Sequence, residues 1–206
     1  MRITEIFYSI QGESTHAGLP CIFVRLTGCN LRCVWCDTAY AFHGGREMSL
    51  EEVLSEVKRF PCRRVEITGG EPLLQDETHP LMSALADAGY RVLLETGGSL
   101  DVSGVDPRVI KIVDLKCPGS GEAEKNRWEN LAHLSSGDEL KFVISDRTDF
   151  DWACNVVRER DLTAKHGVLM SPVHEVQDAR LLSEWILESG LDVRLQLQLH
   201  KFAGMP

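Results

Sequence analysis

Short apolar runs recur along this chain, bounded by turn residues and mostly separated by stretches of helical periodicity. They begin near residues 22, 64, 92, 110, 140, 168 and 193. Parallel neighbours cannot be joined by a tight turn and need a crossover, usually a helix, so strands alternating with helices imply a parallel α/β sheet. The run Cys21–Thr27 is almost continuously apolar, as expected of a parallel strand buried on both faces. Arg25 interrupts it, and a guanidinium there needs an anion, whether Glu13, another internal carboxylate or a carboxylate on a ligand.

The remaining elements follow from local signals. Ile3–Ile10 is rich in β-branched and aromatic residues and reads as a strand running into the polar turn Gln11-Gly12-Glu13-Ser14. Ser49-Leu50-Glu51-Glu52 has the form of a capping box, and Leu50, Val53, Leu54 and Val57 form one face of a helix ending near Arg59. Strand Arg64–Thr68 leads into Gly69-Gly70-Glu71-Pro72. Leu81, Met82, Leu85 and Ala86 mark a second helix, with Pro80 near its start and Gly89 as its stop. Strand Val92–Thr96, a glycine-containing link, strand Ile110–Leu115 and a helix-poor stretch at Cys117–Glu124 come next. A helix at Lys125–Leu134, strand Leu140–Ile144, helix Phe150–Glu159, strand Val168–Ser171, helix Ala179–Ser189 and strand Val193–Leu199 complete the expected order. No linker or repeat divides the chain, so residues 1–206 are expected to form one domain.

Chemistry-bearing residues cluster at the C-terminal ends of these strands: Cys29–Cys36, Gly69–Glu71, Asp114–Lys116 and Ser171–His174. An active site in that position belongs to a TIM-type barrel or a doubly wound sheet. The densest cluster is Cys29-Asn30-Leu31-Arg32-Cys33-Val34-Trp35-Cys36, with three thiols in eight residues. Such a loop can wrap one metal centre, and thiolates suit zinc, copper(I) or an iron–sulfur cluster. Three thiolates leave one corner of a four-iron cluster open for a ligand. His43 could instead complete a zinc site, giving a binding module that catalyses nothing. Cys21, Cys62, Cys117 and Cys154 read as small buried apolar residues.

Composition excludes several function classes. A net charge of −9, with basic residues scattered, argues against a nucleic-acid partner. No apolar run has the length of a membrane span. Seven cysteines with no export signal at the start point to a reducing cytoplasm rather than a disulfide framework. A small-molecule substrate is the expectation.

The CxxxCxxC loop and the later Gly69-Gly70-Glu71-Pro72 resemble the radical S-adenosylmethionine (SAM) superfamily. Phe7-Tyr8-Ser9-Ile10-Gln11-Gly12-Glu13, Cys36-Asp37-Thr38 and the terminal His200–Pro206 narrow the resemblance to 7-carboxy-7-deazaguanine synthases. That resemblance implies a partial, open TIM-like barrel of about six parallel strands. It implies a [4Fe–4S] cluster on Cys29, Cys33 and Cys36, with SAM on its free iron. SAM would run along Trp35, Cys36, Asp37, Gly70, Asp114, Leu115, Lys116 and the loop Ser171, Pro172, Val173, His174. Mg²⁺ would sit on Thr38, and substrate on Ile10, Gln11, Gly12, Arg25, Thr68 and the Pro206 carboxylate. Phe202 and Met205 would pack over the barrel mouth.

The implied reaction turns 6-carboxy-5,6,7,8-tetrahydropterin into 7-carboxy-7-deazaguanine with loss of ammonia, on the route to queuosine and other 7-deazapurines. The reduced cluster cleaves SAM to a 5′-deoxyadenosyl radical, which takes hydrogen from C6 and later returns it. A flavodoxin- or ferredoxin-type electron donor and a homodimer belong to the same implication. A glycyl-radical activating enzyme is the alternative within the superfamily.

Overall fold

The computed structural model describes all residues from Met1 to Pro206. One nine-stranded sheet runs through the molecule in the order β3-β1-β2-β4-β5-β6-β7-β8-β9. Its core is the parallel set β2 (Pro20–Leu26), β4 (Arg64–Gly69), β5 (Arg91–Thr96), β6 (Ile110–Leu115), β7 (Glu139–Ile144) and β8 (Gly167–Pro172). At one edge β1 (Arg2–Ile10) pairs antiparallel with β2, and the two-residue β3 (Arg46–Glu47) pairs with β1. At the other edge the short β9 (Arg194–Leu195) runs parallel to β8. The two edge strands do not pair with each other, so the barrel is open.

Helices cover one face. α1 (Leu50–Val57) starts at Ser49, whose side chain accepts from Glu52 N–H while Glu52 reaches back to the Ser49 N–H, the expected capping box. α2 (Thr78–Asp87) stops before Gly89, which takes a left-handed φ of 81°. α3 (Arg147–Glu159) and α4 (Ala179–Ser189) are capped by Asp146 and Asp178. Two apolar clusters form beneath them. Val24, Leu26, Val65, Ile67, Val92 and Leu94 pack with α1 and α2. Val113, Leu140, Phe142, Val168 and Met170 pack with α3 and α4.

Strand alternation gives the other face a different character. On β4, Glu66 and Thr68 alternate with Val65 and Ile67, and on β7 Lys141 stands between Leu140 and Phe142. This polar inner face is what the cavity is built from. β2 is buried as expected, but it is not apolar on both faces: Ile22, Val24 and Leu26 meet the helices, while Phe23 and Arg25 line the cavity.

Two expected elements differ. Residues 125–134 form no α-helix, only 3₁₀ turns at Ala123–Lys125 and Trp128–His133. Asn126 explains the first break, bonding both Lys116 N–H and Lys116 C=O as a strand edge would. Asn130 grips Gly98 C=O, Leu100 C=O and Val102 N–H in the same way. Asparagine side chains that take neighbouring backbone groups hold the chain in turns against the helix. The strand expected at Val193–Leu199 pairs with β8 only at Arg194 and Leu195. The next rung would call on Pro172, which has no N–H to give. The chain stays unpaired and then forms α5 (Leu199–Ala203), which carries no long periodic signal.

Candidate functional site

The polar inner face and the loops above it enclose a cavity of about 400 Å³. All three cysteines of the octet line it, each half-buried and none in a disulfide. Their loop leaves β2 and is held from three sides. Gly28 N–H bonds Ala41 C=O, Val34 N–H bonds Ser120 C=O, and Arg32 N–H bonds the Glu122 carboxylate. Three free thiols on one loop, facing one cavity, form a donor set suited to an iron–sulfur cluster. His43 is exposed and lies outside the cavity wall. The fourth zinc ligand that a binding module would need is therefore not at this site.

The loop after β4 lies against the cysteine loop. A Cβ on Gly70 would overlap the Gly28 carbonyl oxygen and crowd Cys29. Glycine is required because two backbones meet there. Glu71 is fully buried and braces the contact, accepting from Thr96 Oγ1 at 2.9 Å, Gly97 N–H at 2.8 Å and Leu73 N–H at 3.1 Å. Burial pushes its carboxyl upward despite those donors.

The wall then runs through Asp114 and Lys116, joined at 3.0 Å, to Ser171, Pro172, Val173 and His174. Asp114 Oδ1 is buried without a partner, an orphaned acceptor beside the cavity. The Leu115 side chain faces the other way, into the apolar cluster under α3. Its place between Asp114 and Lys116 gives it the opposite strand face, so only its backbone could touch a ligand on this side.

On the opposite wall stand Ile10, Gln11, Gly12, Arg25 and Thr68. Arg25 finds its anion not in Glu13 but in Glu5, its register partner on β1, at 2.8 Å from Nε. Tyr40 OH donates to the same Glu5 oxygen at 2.7 Å. Arg25 Nη1 reaches Gly69 C=O at 3.4 Å, and the guanidinium sits over the rings of Phe7 and Tyr40. Gln11 is fixed on both sides: Oε1 accepts from Glu13 N–H, and Nε2 donates to Glu66.

Glu13 itself crosses the barrel. It accepts from Lys141 Nζ at 2.9 Å, Gln196 Nε2 at 3.1 Å and Gln198 Nε2 at 2.9 Å. Burial pushes this carboxyl up, but Lys141 and Gln198 outweigh it and leave it below the usual range. Lys141 also bonds Glu95 at 2.5 Å, and Thr68 Oγ1 donates to Glu95 at 3.3 Å. Burial works against the Lys141 ammonium, yet Glu13, Glu95 and Asp114 hold its pKa well above the usual value.

At the rim, Asp37 accepts from Thr38 Oγ1 at 2.9 Å and from Lys201 Nζ at 2.8 Å. Lys201 overcomes the effect of burial and draws the Asp37 pKa down to about 2. Thr38 and Asp37 together present hard oxygens, the donor type that suits Mg²⁺. Lys201 belongs to α5, so the tail is tied to the cysteine loop. It is also tied to the turn after β1: Leu199 N–H bonds Gly12 C=O at 2.9 Å, and Ser9 Oγ donates to Pro206 O at 3.0 Å. The His200 ring packs so closely on Gly12 that a Cβ there would overlap it. Pro206 lines the cavity, whereas Phe202 is 71% exposed and Met205 41% exposed, so neither packs over the mouth as expected.

The sequence reading missed Glu66, Glu95, Lys141 and Gln198 as wall residues, and it marked His200 and Lys201 only as part of the terminal segment. The alternation Glu139-Leu140-Lys141-Phe142 was a usable signal, but it fits a solvent face equally well.

Comparison with known proteins places these features. Residues 23–115 match the family described as the radical SAM superfamily. A 7-carboxy-7-deazaguanine synthase from Koribacter versatilis is 50% identical, over all of this chain and 98% of its own length. One from Chlorobaculum tepidum is 46% identical, over all of this chain and 95% of its own. The crystal structure of QueE from Escherichia coli superposes with a TM-score of 0.80 at 26% identity, covering 97% of this chain and 94% of that one.

Proposed function

The chain belongs to the 7-carboxy-7-deazaguanine synthase family of radical SAM enzymes, and on that premise we propose how its residues divide the work. The reaction is the conversion of 6-carboxy-5,6,7,8-tetrahydropterin to 7-carboxy-7-deazaguanine with release of ammonia. A [4Fe–4S] cluster with SAM supplies, when bound, the radical that removes hydrogen from C6 of the pterin.

Cys29, Cys33 and Cys36 hold the cluster. Trp35, Asp37, Gly70, Asp114, Lys116 and the Ser171–His174 loop lie along SAM. Thr38 would supply its hydroxyl to Mg²⁺, which would offset the charge of the substrate carboxylate. Ile10, Gln11, Gly12, Arg25, Thr68 and Pro206 bind the pterin. One observation supports this division above the others: both residue sets open onto a single cavity. Arg25 is held by Glu5 through Nε, which leaves guanidinium N–H groups for a substrate anion. Lys141 holds the Glu13 carboxyl ionised and therefore acceptor-only, as the donor-rich edge of a 2-amino-pterin requires, and it bonds Glu95 beside it. The tail, fastened to Gly12 and Asp37, narrows access of water to the cavity.

No helix is long and apolar enough to cross a membrane. A flavodoxin- or ferredoxin-type donor and a homodimer complete the proposal on the strength of the family resemblance.

The test is anaerobic reconstitution with iron and sulfide, followed by incubation with SAM, Mg²⁺, a reductant and the carboxypterin. The expected result is one ammonia per 7-carboxy-7-deazaguanine, with SAM not consumed in proportion. Intact cluster and SAM cleavage without that product would sink the substrate assignment.

A further inference from the structure

Two carboxylates on the cavity wall have no cation partner, and they differ in kind. Glu71 is saturated by three donors from its own and the neighbouring strand loop. Glu66 is 3% exposed and receives one group only, the neutral side-chain amide of Gln11 on Oε2. Its Oε1 makes no hydrogen bond within the protein, in a residue that faces the cavity.

Every cation nearby is already engaged. Lys141 serves Glu13, Glu95 and Asp114; Lys116 serves Asp114; Arg25 serves Glu5; Lys201 serves Asp37. The charged and titratable groups facing Glu66 are Cys21 and Arg25 from β2, Glu13 from the turn after β1, Glu95 from β5 and Lys141 from β7. A desolvated carboxylate without a counter-ion, beside two others, keeps its proton. Burial first, then Glu95 and Glu13, raise the Glu66 carboxyl well above the ordinary range, more than Lys141 and Arg25 lower it. One oxygen is thus clamped by Gln11, and the acid presents its other edge to the substrate space.

We propose that Glu66 is the acid–base group for the loss of ammonia, delivering a proton to the departing amine and taking one back as the product ring becomes aromatic. The inference rests on the functional reading above. In the step, the C–N bond breaks with its electron pair going to nitrogen, which takes the Glu66 proton and leaves as ammonia. A ring C–H then gives its proton to the Glu66 carboxylate while its electron pair forms the ring double bond. Substrate and product differ by ammonia alone, so this half needs no oxidant or reductant, and Glu66 ends as it began.

The experiment compares wild type with Glu66→Gln, both anaerobically reconstituted, using pterin deuterated at C6. Glu66→Gln keeps the clamp on Gln11 but has no proton to give. Deuterium should pass into SAM at the wild-type rate, while ammonia release falls on the order of 10²–10³-fold. The wild-type rate should fall as pH rises through the Glu66 pKa, and that limb should be missing in Glu66→Gln. In parallel, the infrared spectrum of the wild type at neutral pH should hold a protonated-carboxyl band that Glu66→Gln lacks.

Ammonia release within threefold of wild type with the same pH limb would overturn the proposal. So would equal loss of deuterium transfer, which would make Glu66 a binding group, or absence of the band. If Glu66→Gln fails to fold, Glu66→Asp must shift the band and retain the pH limb at reduced rate. Wild-type protein that forms no deazaguanine would refute the functional reading itself, whatever Glu66 does.

Discussion

Replacing Lys141 by methionine tests whether the polar interior is held together by charge. The ammonium is 6% exposed as a side chain and stands 2.9 Å from Glu13, 2.5 Å from Glu95 and 3.6 Å from Asp114. Methionine keeps most of the volume, so packing loss is small. Two carboxylates, Glu13 and Glu95, are left with no cation, since Lys116 already serves Asp114. Removing one side of a buried ion pair costs about 3–5 kcal/mol. For a chain of this size 1 kcal/mol moves Tm by about 2–4 °C, so a drop of roughly 6–20 °C is expected.

The loss should depend on pH with a definite sign. In the wild type the Glu13 pKa is depressed below its reference value of 4.5, so its contribution is present above that pH and fades as pH falls through the depressed value. In Lys141→Met, burial is no longer opposed by the ammonium and raises the Glu13 carboxyl, so the variant weakens as pH rises through its new value. The two curves therefore converge on acidification and separate toward neutrality. The raised Lys141 pKa adds nothing to this window, because its contribution is fully present below the unfolded lysine value and fades only in strong alkali. Thermal unfolding of both proteins across roughly pH 4.5 to 8, under one state of cluster loading, is the assay. The double variant Lys141→Met/Glu95→Gln should recover about 1–3 kcal/mol. An equal loss at every pH, with no recovery in the double variant, would show that Lys141 acts through packing.

Three further outcomes follow from the site. Cys33→Ala should abolish the iron–sulfur absorbance and all SAM cleavage, whereas Cys154→Ala, on the buried face of α3, should leave both intact; wild-type iron content in the first would remove Cys33 from the ligand set. Thr38→Ala should keep the cluster but lower turnover and its response to Mg²⁺, and unchanged Mg²⁺ dependence would end the metal role of its hydroxyl. Gly12→Ala forces a methyl group onto the His200 ring. At about 1–3 kcal/mol for such overpacking, its KM for the pterin should rise roughly 5- to 150-fold with iron content unaltered, and an unchanged KM would detach the tail from substrate binding.

Much of the frame was legible because its signals are local. Ser49 and Glu52 lie three residues apart and cap α1 through contacts within one turn. The octet marks a thiolate metal centre by its spacing, though the choice of an iron–sulfur cluster over zinc came from the family resemblance, and Arg25 announced an anion by standing in an apolar run. What stayed hidden depends on long-range register. Lys141 meets Glu13 across 128 residues, and Gln198 meets it across 185. A charged residue alternating with apolar ones reads as solvent-facing, because local periodicity cannot say whether the polar face looks outward or into an open barrel. The same ambiguity concealed Glu66, next to a β4 motif that was otherwise readable. The strand expected at Val193–Leu199 is reduced to Arg194 and Leu195, because whether β8 could pair further depended on Pro172, which the segment's own periodicity does not reveal.

Division of labour between the two faces of one sheet explains how so much charge is accommodated. On β4, Val65 and Ile67 join the apolar cluster under α1 and α2, while Glu66 and Thr68 face the cavity. Apolar burial on the helix side supplies stability, which leaves the inner face free to carry groups that a packed core could not accept. Each inner charge is then rationed. Glu13 and Glu95 share Lys141, Asp114 takes Lys116, and Glu66, with no cation left to it, is the group that holds a proton. An added cation would ionise Glu66, and loss of Lys141 would push the Glu13 carboxyl toward its protonated form. The number of buried amines, rather than the number of acids, therefore decides which carboxyl in this site can donate a proton.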